Sequence, residues 1–257
     1  MKKKINIVLF SGLAVIFVLM VVGVLFWFAD YDNDRPRHKK IDDADETEKV
    51  ETRELEAFDA IDSEGVCDIE FVQSDRSAVE ITAASNKINF IETNVDDGKL
   101  KISANLVNKR NHHPKVIVYS PSCKFIKNEG VGSITCDSLS TGTLRIVNEG
   151  VGDIIVNKLT TTKLKIESEG IGGITVCGAI ENARLEKEGV GTIDLTCSEC
   201  GEVNASNDGV GAIIVSGVAQ HAQLDNEGVG RIDASYLECD DVNVSNEGLG
   251  EVVTKKE

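Results

Sequence analysis

The phrase Asn-Glu-Gly-Val-Gly-Ser-Ile, at residues 128–134, decides the fold because it returns six more times in nearly the same form. The second copy, Asn-Glu-Gly-Val-Gly-Asp-Ile at 148–154, differs by one residue, and the last, Asn-Glu-Gly-Leu-Gly-Glu-Val, occupies 246–252. A period this short and this strict predicts a solenoid. The step is 19 or 20 residues, as the first glycines of the copies show: Gly130, Gly150, Gly170, Gly189, Gly209, Gly228 and Gly248.

The residues between the phrases indicate which solenoid to expect. Counted from the first glycine, position +4 is isoleucine or valine in every copy, and positions +6 and −4 are mostly aliphatic. Apolar positions two residues apart are typical of strands, and no stretch shows the period of a helix. The sequence therefore predicts an all-β fold, a right-handed parallel β-helix in which coils of 19–20 residues stack in register.

The polar residues of the phrase have structural explanations. Two glycines flank one apolar residue, and this arrangement predicts a tight corner with positive φ. Stacked asparagine side chains can hydrogen-bond along a ladder, so we expect such a ladder beside the corner. Its members precede the acid in five of the seven copies: Asn128, Asn148, Asn207, Asn226 and Asn246.

The N-terminal segment, residues 1–29, predicts a single membrane-spanning helix. Residues 5–29 carry no charge, and a helix of that length spans about 36 Å, enough for a hydrocarbon core of about 30 Å. Lys2, Lys3 and Lys4 favour a cytoplasmic N-terminus, which places the rest of the chain outside the cytoplasm. A cleaved signal peptide is the alternative, but the apolar run lacks a small-x-small cleavage site.

The remainder of the chain divides by composition. Residues 30–52 are polar and rich in both charges, which predicts a flexible tether. Residues 53–257 are predicted to form the β-helix domain, with irregular first coils and a cap over 53–125 and regular coils over 126–257. The domain is thus expected in the cell envelope, in the periplasm or at the cell surface.

The charge of the chain excludes two classes of partner. Acidic residues outnumber basic ones by 43 to 27, and the net charge is −16. Phosphate backbones would repel such a body, so we expect no nucleic-acid binding. Contact between the folded domain and an anionic membrane surface is disfavoured for the same reason.

Several stretches resemble the head GIN domain family, auto-transporter adhesins found widely in Bacteroidetes-type bacteria. The resemblance covers roughly residues 53–253 and rests on segments such as Gly-Val-Cys-Asp-Ile at 65–69 and Val-Ile-Val-Tyr-Ser-Pro at 116–121. The repeated Gly-Ser-Gly-Asp phrase of the family becomes Glu-Gly-Val-Gly here, with Asp153 and Glu251 the acids that follow the second glycine. The resemblance implies a β-helical envelope protein, and its adhesin label is an analogy from fold.

One column of acids is a candidate metal site. In register its carboxylates would lie about 4.8 Å apart, and adjacent pairs would repel by roughly 0.9 kcal/mol in water. Calcium prefers six to eight oxygens, which one carboxylate per coil does not supply, so we expect these side chains to extend into solvent. No cofactor is predicted. This acid column consists of the residues before the first glycines: Glu129, Glu149, Glu169, Glu188, Asp208, Glu227 and Glu247.

The seven cysteines show no disulfide framework, because their number is odd and their spacing irregular. Cys136 falls in the apolar column at position +6, and Cys177 and Cys197 could approach each other across adjacent coils. Cys197 and Cys200 form a Cys-x-x-Cys pair, which is a weak redox or half-metal signal without a second pair. Local packing is the expectation for most of the cysteines.

No catalytic residue is predicted, because no histidine is placed near a serine or cysteine nucleophile. The first hypothesis is a non-catalytic envelope protein that presents a β-helical surface to a protein or glycan partner, in the manner of an adhesin. The second is a periplasmic, membrane-anchored scaffold or sensor in envelope homeostasis or stress. A carbohydrate-active enzyme ranks third, because few aromatic residues are available as sugar platforms.

Overall fold

The structure of the protein is a computed structural model that describes residues 47–104 and 113–255. Most of these residues lie in strands, and one 3₁₀ turn is present at Ile88–Phe90. No helix within this part of the chain is long and apolar enough to cross a bilayer. The predicted anchor, residues 1–29, lies outside the described residues.

Within these residues, seventeen strands form one continuous sheet that winds into a β-solenoid of about six turns. The strands before the long coils are β1 (Glu48–Glu54), β2 (Ala60–Gly65), β3 (Asp68–Gln73), β4 (Ala78–Ala84), β5 (Ile91–Asp96), β6 (Lys99–Ala104), β7 (Lys115–Ser120), β8 (Phe125–Asn128), β9 (Ile134–Cys136), β10 (Leu139–Ser140) and β11 (Thr143–Asn148). The others are β12 (Ile154–Ser168), β13 (Ile174–Lys187), β14 (Val190–Asn207), β15 (Val210–Asn226), β16 (Val229–Asn246) and β17 (Leu249–Thr254). The predicted all-β solenoid is therefore confirmed, and its right-handed sense stays a prediction.

Parallel pairing stacks each repeat position above the same position of the preceding coil. Ile154 pairs with Ile134 on one side and with Ile174 on the other. The side chains at position +4 are fully buried along the whole run from Ile134 to Ile232. Burial of each aliphatic side chain contributes about 1.5–3 kcal/mol, so these columns are the main source of stability. The register predicted from the repeat is confirmed.

The strands β12 to β16 each continue around much of a coil because they bend at irregular positions. The register of the β14–β15 pair shifts between Cys197 and Cys200, and that of the β12–β13 pair shifts between Val156 and Leu159. Such bulges bend a strand without ending its pairing. One coil therefore has several faces, and the repeated phrase forms one of its corners.

Antiparallel strands cover the end of the stack at which β2 and β3 lie. β6 and β7 pair in parallel with β2 and β3 and so add a coil on their outer side. Beyond them, β5 pairs antiparallel with β6, and β4 pairs antiparallel with β7. β1 then pairs antiparallel with β4. Three antiparallel strands thus follow the last parallel coil at this end.

Strand β1 corrects one predicted boundary. It begins at Glu48, inside residues 30–52, the range predicted as a tether. Its composition is polar, but its backbone pairs with β4 over its whole length, and Arg53 Nη1 donates a hydrogen bond to Ile91 O at 2.7 Å. An edge strand needs little apolar burial when a neighbouring strand supplies backbone partners, so the tether prediction is wrong for residues 48–52.

Candidate binding surface

The glycine corner repeats on the outside of every regular coil and carries two parallel rows of side chains. One row is the acid column, and all seven of its members are exposed. The other is the residue between the two glycines, which we call the apolar ridge. The ridge consists of Val131, Val151, Ile171, Val190, Val210, Val229 and Leu249.

Backbone bridges keep the ridge in register from coil to coil. Val131 pairs with Val151, Val151 with Ile171, and the pairing continues in parallel to Leu249. Six of the side chains are 41–44% exposed, and Leu249 is 56% exposed. At the usual strand spacing, seven stacked residues form a continuous apolar row about 29 Å long.

Sequence reasoning did not identify the ridge, although a signal was present. The ridge residue, at position +1, lies two residues after the acid at position −1, and that acid points outward. Side chains two residues apart on an extended strand face the same side, so the ridge residue points outward too. An outward position that is aliphatic in all seven copies departs from the usual pattern of polar residues facing solvent. The flanking glycines explain the backbone of the corner and give no reason for an aliphatic residue between them.

The two glycines of the corner have different roles. The second has positive φ in five coils, for example 140° at Gly152, which agrees with the predicted corner conformation. The first has no positive φ, but a Cβ atom at Gly170 would lie 2.2 Å from Gly150 O of the preceding coil. The prediction of positive φ is therefore wrong for the first glycine, which is required because neighbouring coils approach closely there.

The predicted asparagine ladder is present in two segments. Asn128 Nδ2 donates to Asn148 Oδ1 at 3.1 Å, and Asn207 Nδ2 donates to Asn226 Oδ1 at 2.7 Å. Asn226 Nδ2 in turn donates to Asn246 Oδ1 at 2.8 Å. These amides lie just inside the acid column and tie successive corners together.

Lys187 interrupts the ladder between its two segments. It occupies the asparagine position, is fully buried, and donates from Nζ to Gly189 O at 3.0 Å and Val210 O at 2.8 Å. Burial lowers the pKa of this lysine to about 8. On either side of it in register, Ser168 Oγ and Asn207 Oδ1 are buried without a hydrogen-bond partner in the described structure.

Among the residues that the structure describes, the acid column has a lysine partner at one end only. Lys127 Nζ lies between Glu129 and Glu149, at 3.0 Å from the latter, and its hydrogen bond to Glu129 raises its pKa. Within the described residues, the remaining five acids have no ion-pair partner. They are Glu169, Glu188, Asp208, Glu227 and Glu247.

Three acidic residues come together at the end of the column where Lys127 lies. Ligand oxygens of Asp62, Glu64 and Glu129 lie within 4.8 Å of one another. Burial and the charge of Glu129 raise the pKa of Asp62. A cation there would have to compete with three ammonium groups, because each of these acids faces a lysine: Lys99 at 4.0 Å from Asp62, Lys101 at 2.5 Å from Glu64, and Lys127 beside Glu129.

The cysteines divide into one disulfide and five thiols. Cys197 and Cys200 form a disulfide with their Cα atoms 6.0 Å apart, so this pair is the exception to the local packing expected for most of the cysteines. Cys177 lies opposite Thr196 rather than Cys197 and remains a free thiol. Cys136 packs in the core as predicted, and burial raises its pKa to about 11. The disulfide follows from the strand bend between its two cysteines, which brings residues three apart to bonding distance.

A family model described as "Putative auto-transporter adhesin, head GIN domain" matches residues 57–196 and 181–255. The chain belongs to the head GIN domain family. The resemblance found in the repeat and in the first coils is thereby confirmed. No curated protein matches this head GIN domain chain.

Solved structures agree with this family. A crystal structure described as a putative adhesin from Bacteroides fragilis NCTC 9343 is 28% identical and covers 80% of this head GIN domain chain and 96% of its own, with a TM-score of 0.74. Two further structures share the fold at 20% identity, each covering 80% of this chain and 96% of its own. They are a putative adhesin from Parabacteroides merdae ATCC 43184, with a TM-score of 0.55, and a putative lipid binding protein from Parabacteroides distasonis ATCC 8503, with a TM-score of 0.57.

Proposed function

We propose that this chain is a non-catalytic, adhesin-like protein of the cell envelope that binds a partner through the outer surface of its solenoid. The observation that carries the proposal is the apolar ridge, an exposed aliphatic row that is repeated on every regular coil. Contiguous exposed apolar side chains on a folded protein mark interaction sites. Membership of an adhesin-like family supports the same conclusion.

The proposal includes the predicted anchor. Residues 1–29 would span the membrane once, with the right-handed solenoid outside the cytoplasm. The Cys197–Cys200 disulfide supports an extracytoplasmic position, because disulfides persist in oxidising compartments. The acid column is proposed to hold no calcium, since Lys127 already serves two of its members.

A periplasmic scaffold or sensor is the second candidate, and the anchor favours it. Strand β1 begins at Glu48, so a tether of residues 30–47 would reach at most about 60 Å when fully extended. This length limits contact with another cell if an outer membrane intervenes. The two candidates therefore differ in where the solenoid is exposed.

Protease treatment of intact cells distinguishes the two candidates. The adhesin-like function predicts that externally added protease removes the solenoid from intact cells, measured by immunoblot against the C-terminal coils. A periplasmic marker protein that survives intact-cell treatment is the control. Cleavage of the solenoid only after the outer membrane has been permeabilised would overturn surface display and leave the scaffold.

A further inference from the structure

We propose that the apolar ridge, together with the unpaired part of the acid column, binds a cationic amphipathic α-helix of another protein. This inference rests on the proposed binding function and names the class of partner. Both rows lie on the same corner, two residues apart in every regular coil. A partner that covers the ridge must therefore also face the carboxylates.

The ridge is not explained by the needs of the fold. Its side chains point away from the core, whose columns are filled by the residues at positions +4, +6 and −4. The conformation of the corner depends on the two glycines, and a threonine or serine between them would leave that backbone unchanged. Seven exposed aliphatic residues in one row instead provide apolar area that a partner can remove from water.

The negative charge beside the ridge favours a partner with positive charge. Glu169, Glu188 and Asp208 are consecutive members of the acid column and have no ion-pair partner within the described residues. A second copy of this chain docked ridge to ridge would bring two such columns together, and an anionic membrane would be repelled in the same way. Lysine or arginine side chains on a partner would pair with these carboxylates.

The spacing between successive ridge residues favours a helix over an extended strand as the partner. Ridge residues repeat about every 4.8 Å along the solenoid axis. Side chains on one face of an extended strand repeat about every 6.6 Å, whereas those on one face of a helix repeat at about 4.5 or 6.0 Å for spacings of three or four residues. A helix aligned with the ridge can therefore keep apolar contacts over its length, and about 19 residues would cover 29 Å.

The two rows are expected to contribute differently to binding. Burial of the ridge provides most of the affinity, because exposed ion pairs contribute little each. The carboxylates mainly set the orientation of the helix and its association rate, and salt should weaken their effect. The ridge and the charges can thus be tested separately.

The probe is a synthetic 19-residue helix with leucine at alternating spacings of three and four and lysine along one flank. Binding is measured by fluorescence anisotropy with the purified full chain in phosphatidylcholine nanodiscs, and empty nanodiscs report binding to lipid. A second peptide with glutamate in place of lysine tests the sign of the charge. A third, with the same composition in scrambled order, tests amphipathicity.

Two sets of substitutions separate the rows. Val190→Thr with Val210→Thr changes the ridge with near-isosteric, strand-compatible residues, and is expected to weaken binding of the lysine peptide at least tenfold. Glu188→Gln, Asp208→Asn and Glu227→Gln together remove three charges from the acid column. They are expected to weaken binding about tenfold in low salt and to have little effect in 0.5 M salt.

A matched control removes the same charge elsewhere. Glu181→Gln, Glu199→Gln and Glu202→Gln lie on exposed positions away from the corner, and this triple variant should bind as the wild-type chain does. Thermal unfolding of each variant verifies that the solenoid remains folded. Equal binding by the ridge variant and the wild type, or by the glutamate and lysine peptides, would overturn the inference.

Failure of this inference is distinguishable from failure of the proposed function. Protease accessibility reports where the solenoid is displayed and does not depend on the ridge. If the solenoid is exposed on intact cells but the lysine peptide does not bind, the helix inference fails and surface display stands. If the peptide binds through the ridge but the solenoid is protected in intact cells, the binding surface stands and the adhesin-like location fails.

Discussion

Replacing Gly170 by alanine is expected to destabilise the solenoid by about 3 kcal/mol, at the upper end of the usual cost of overpacking. A Cβ atom there would lie 2.2 Å from Gly150 O and 2.7 Å from the carbonyl carbon of Glu149. Both are backbone atoms of the preceding coil, so neither can move without separating two coils. Because Gly170 has no positive φ, the effect would come from this contact alone.

Urea unfolding of the full chain measures the change, and a fall in Tm of roughly 6–12 °C should accompany it. Gly142→Ala is the matched control, because a Cβ atom at that exposed glycine has no neighbour within 4 Å. Its effect should stay within about 0.5 kcal/mol. If both substitutions cost the same free energy, close approach of the coils is not the reason for the first glycine of the repeat.

Replacing Lys187 by asparagine is expected to stabilise the protein by about 2 kcal/mol at pH 7. Burial lowers the pKa of this lysine from 10.5 to about 8, which corresponds to a penalty of about 3 kcal/mol for the charged form. Asparagine would remove that charge and could bond to Ser168 Oγ and Asn207 Oδ1, which lack partners. Part of the gain would be lost to the space left by the shorter side chain.

The pH dependence gives this prediction a distinct signature. Between about pH 8 and 10.5 the unfolded chain binds more protons at this lysine than the folded chain does, so wild-type stability should rise with pH across that window relative to Lys187→Asn. The difference in stability between wild type and Lys187→Asn at each pH removes the contribution of other titrating groups, because both proteins contain them. Lys163→Asn, at an exposed position, is the control for replacing a lysine by asparagine outside the ladder. A lower stability of Lys187→Asn at pH 7 would contradict the explanation.

The period of the glycines was sufficient to predict most of the fold. With a step of 19 or 20 residues and isoleucine at position +4, the isoleucines form a continuous column only if the coils stack in register. Ile134, Ile154 and Ile174 are indeed paired and buried. The asparagine ladder followed from the same alignment. A strict repeat is informative because each coil must meet an identical neighbour.

Features without a repeat were harder to predict. Strand β1 has a polar sequence and depends on pairing with β4, which no local pattern reveals. The Cys197–Cys200 disulfide depends on a bend of β14 between the two cysteines. No local sequence pattern reveals where a coil bends. The ridge was visible in the sequence as an aliphatic residue between the two glycines. Such a column can belong to the core or to a binding surface, and only the direction of its side chains distinguishes the two.

Site-specific photo-crosslinking in living cells tests the central claim most directly, namely that the glycine corner is the surface that meets the partner. A photoreactive amino acid is placed at Val210 on the ridge and, as a control, at Gln220, an exposed position between corners. The structure predicts a discrete crosslinked protein at 210, in lower yield when Glu188 and Asp208 are neutralised, and none at 220. Crosslinking at 220 with none at 210, or the same product from both, would contradict it.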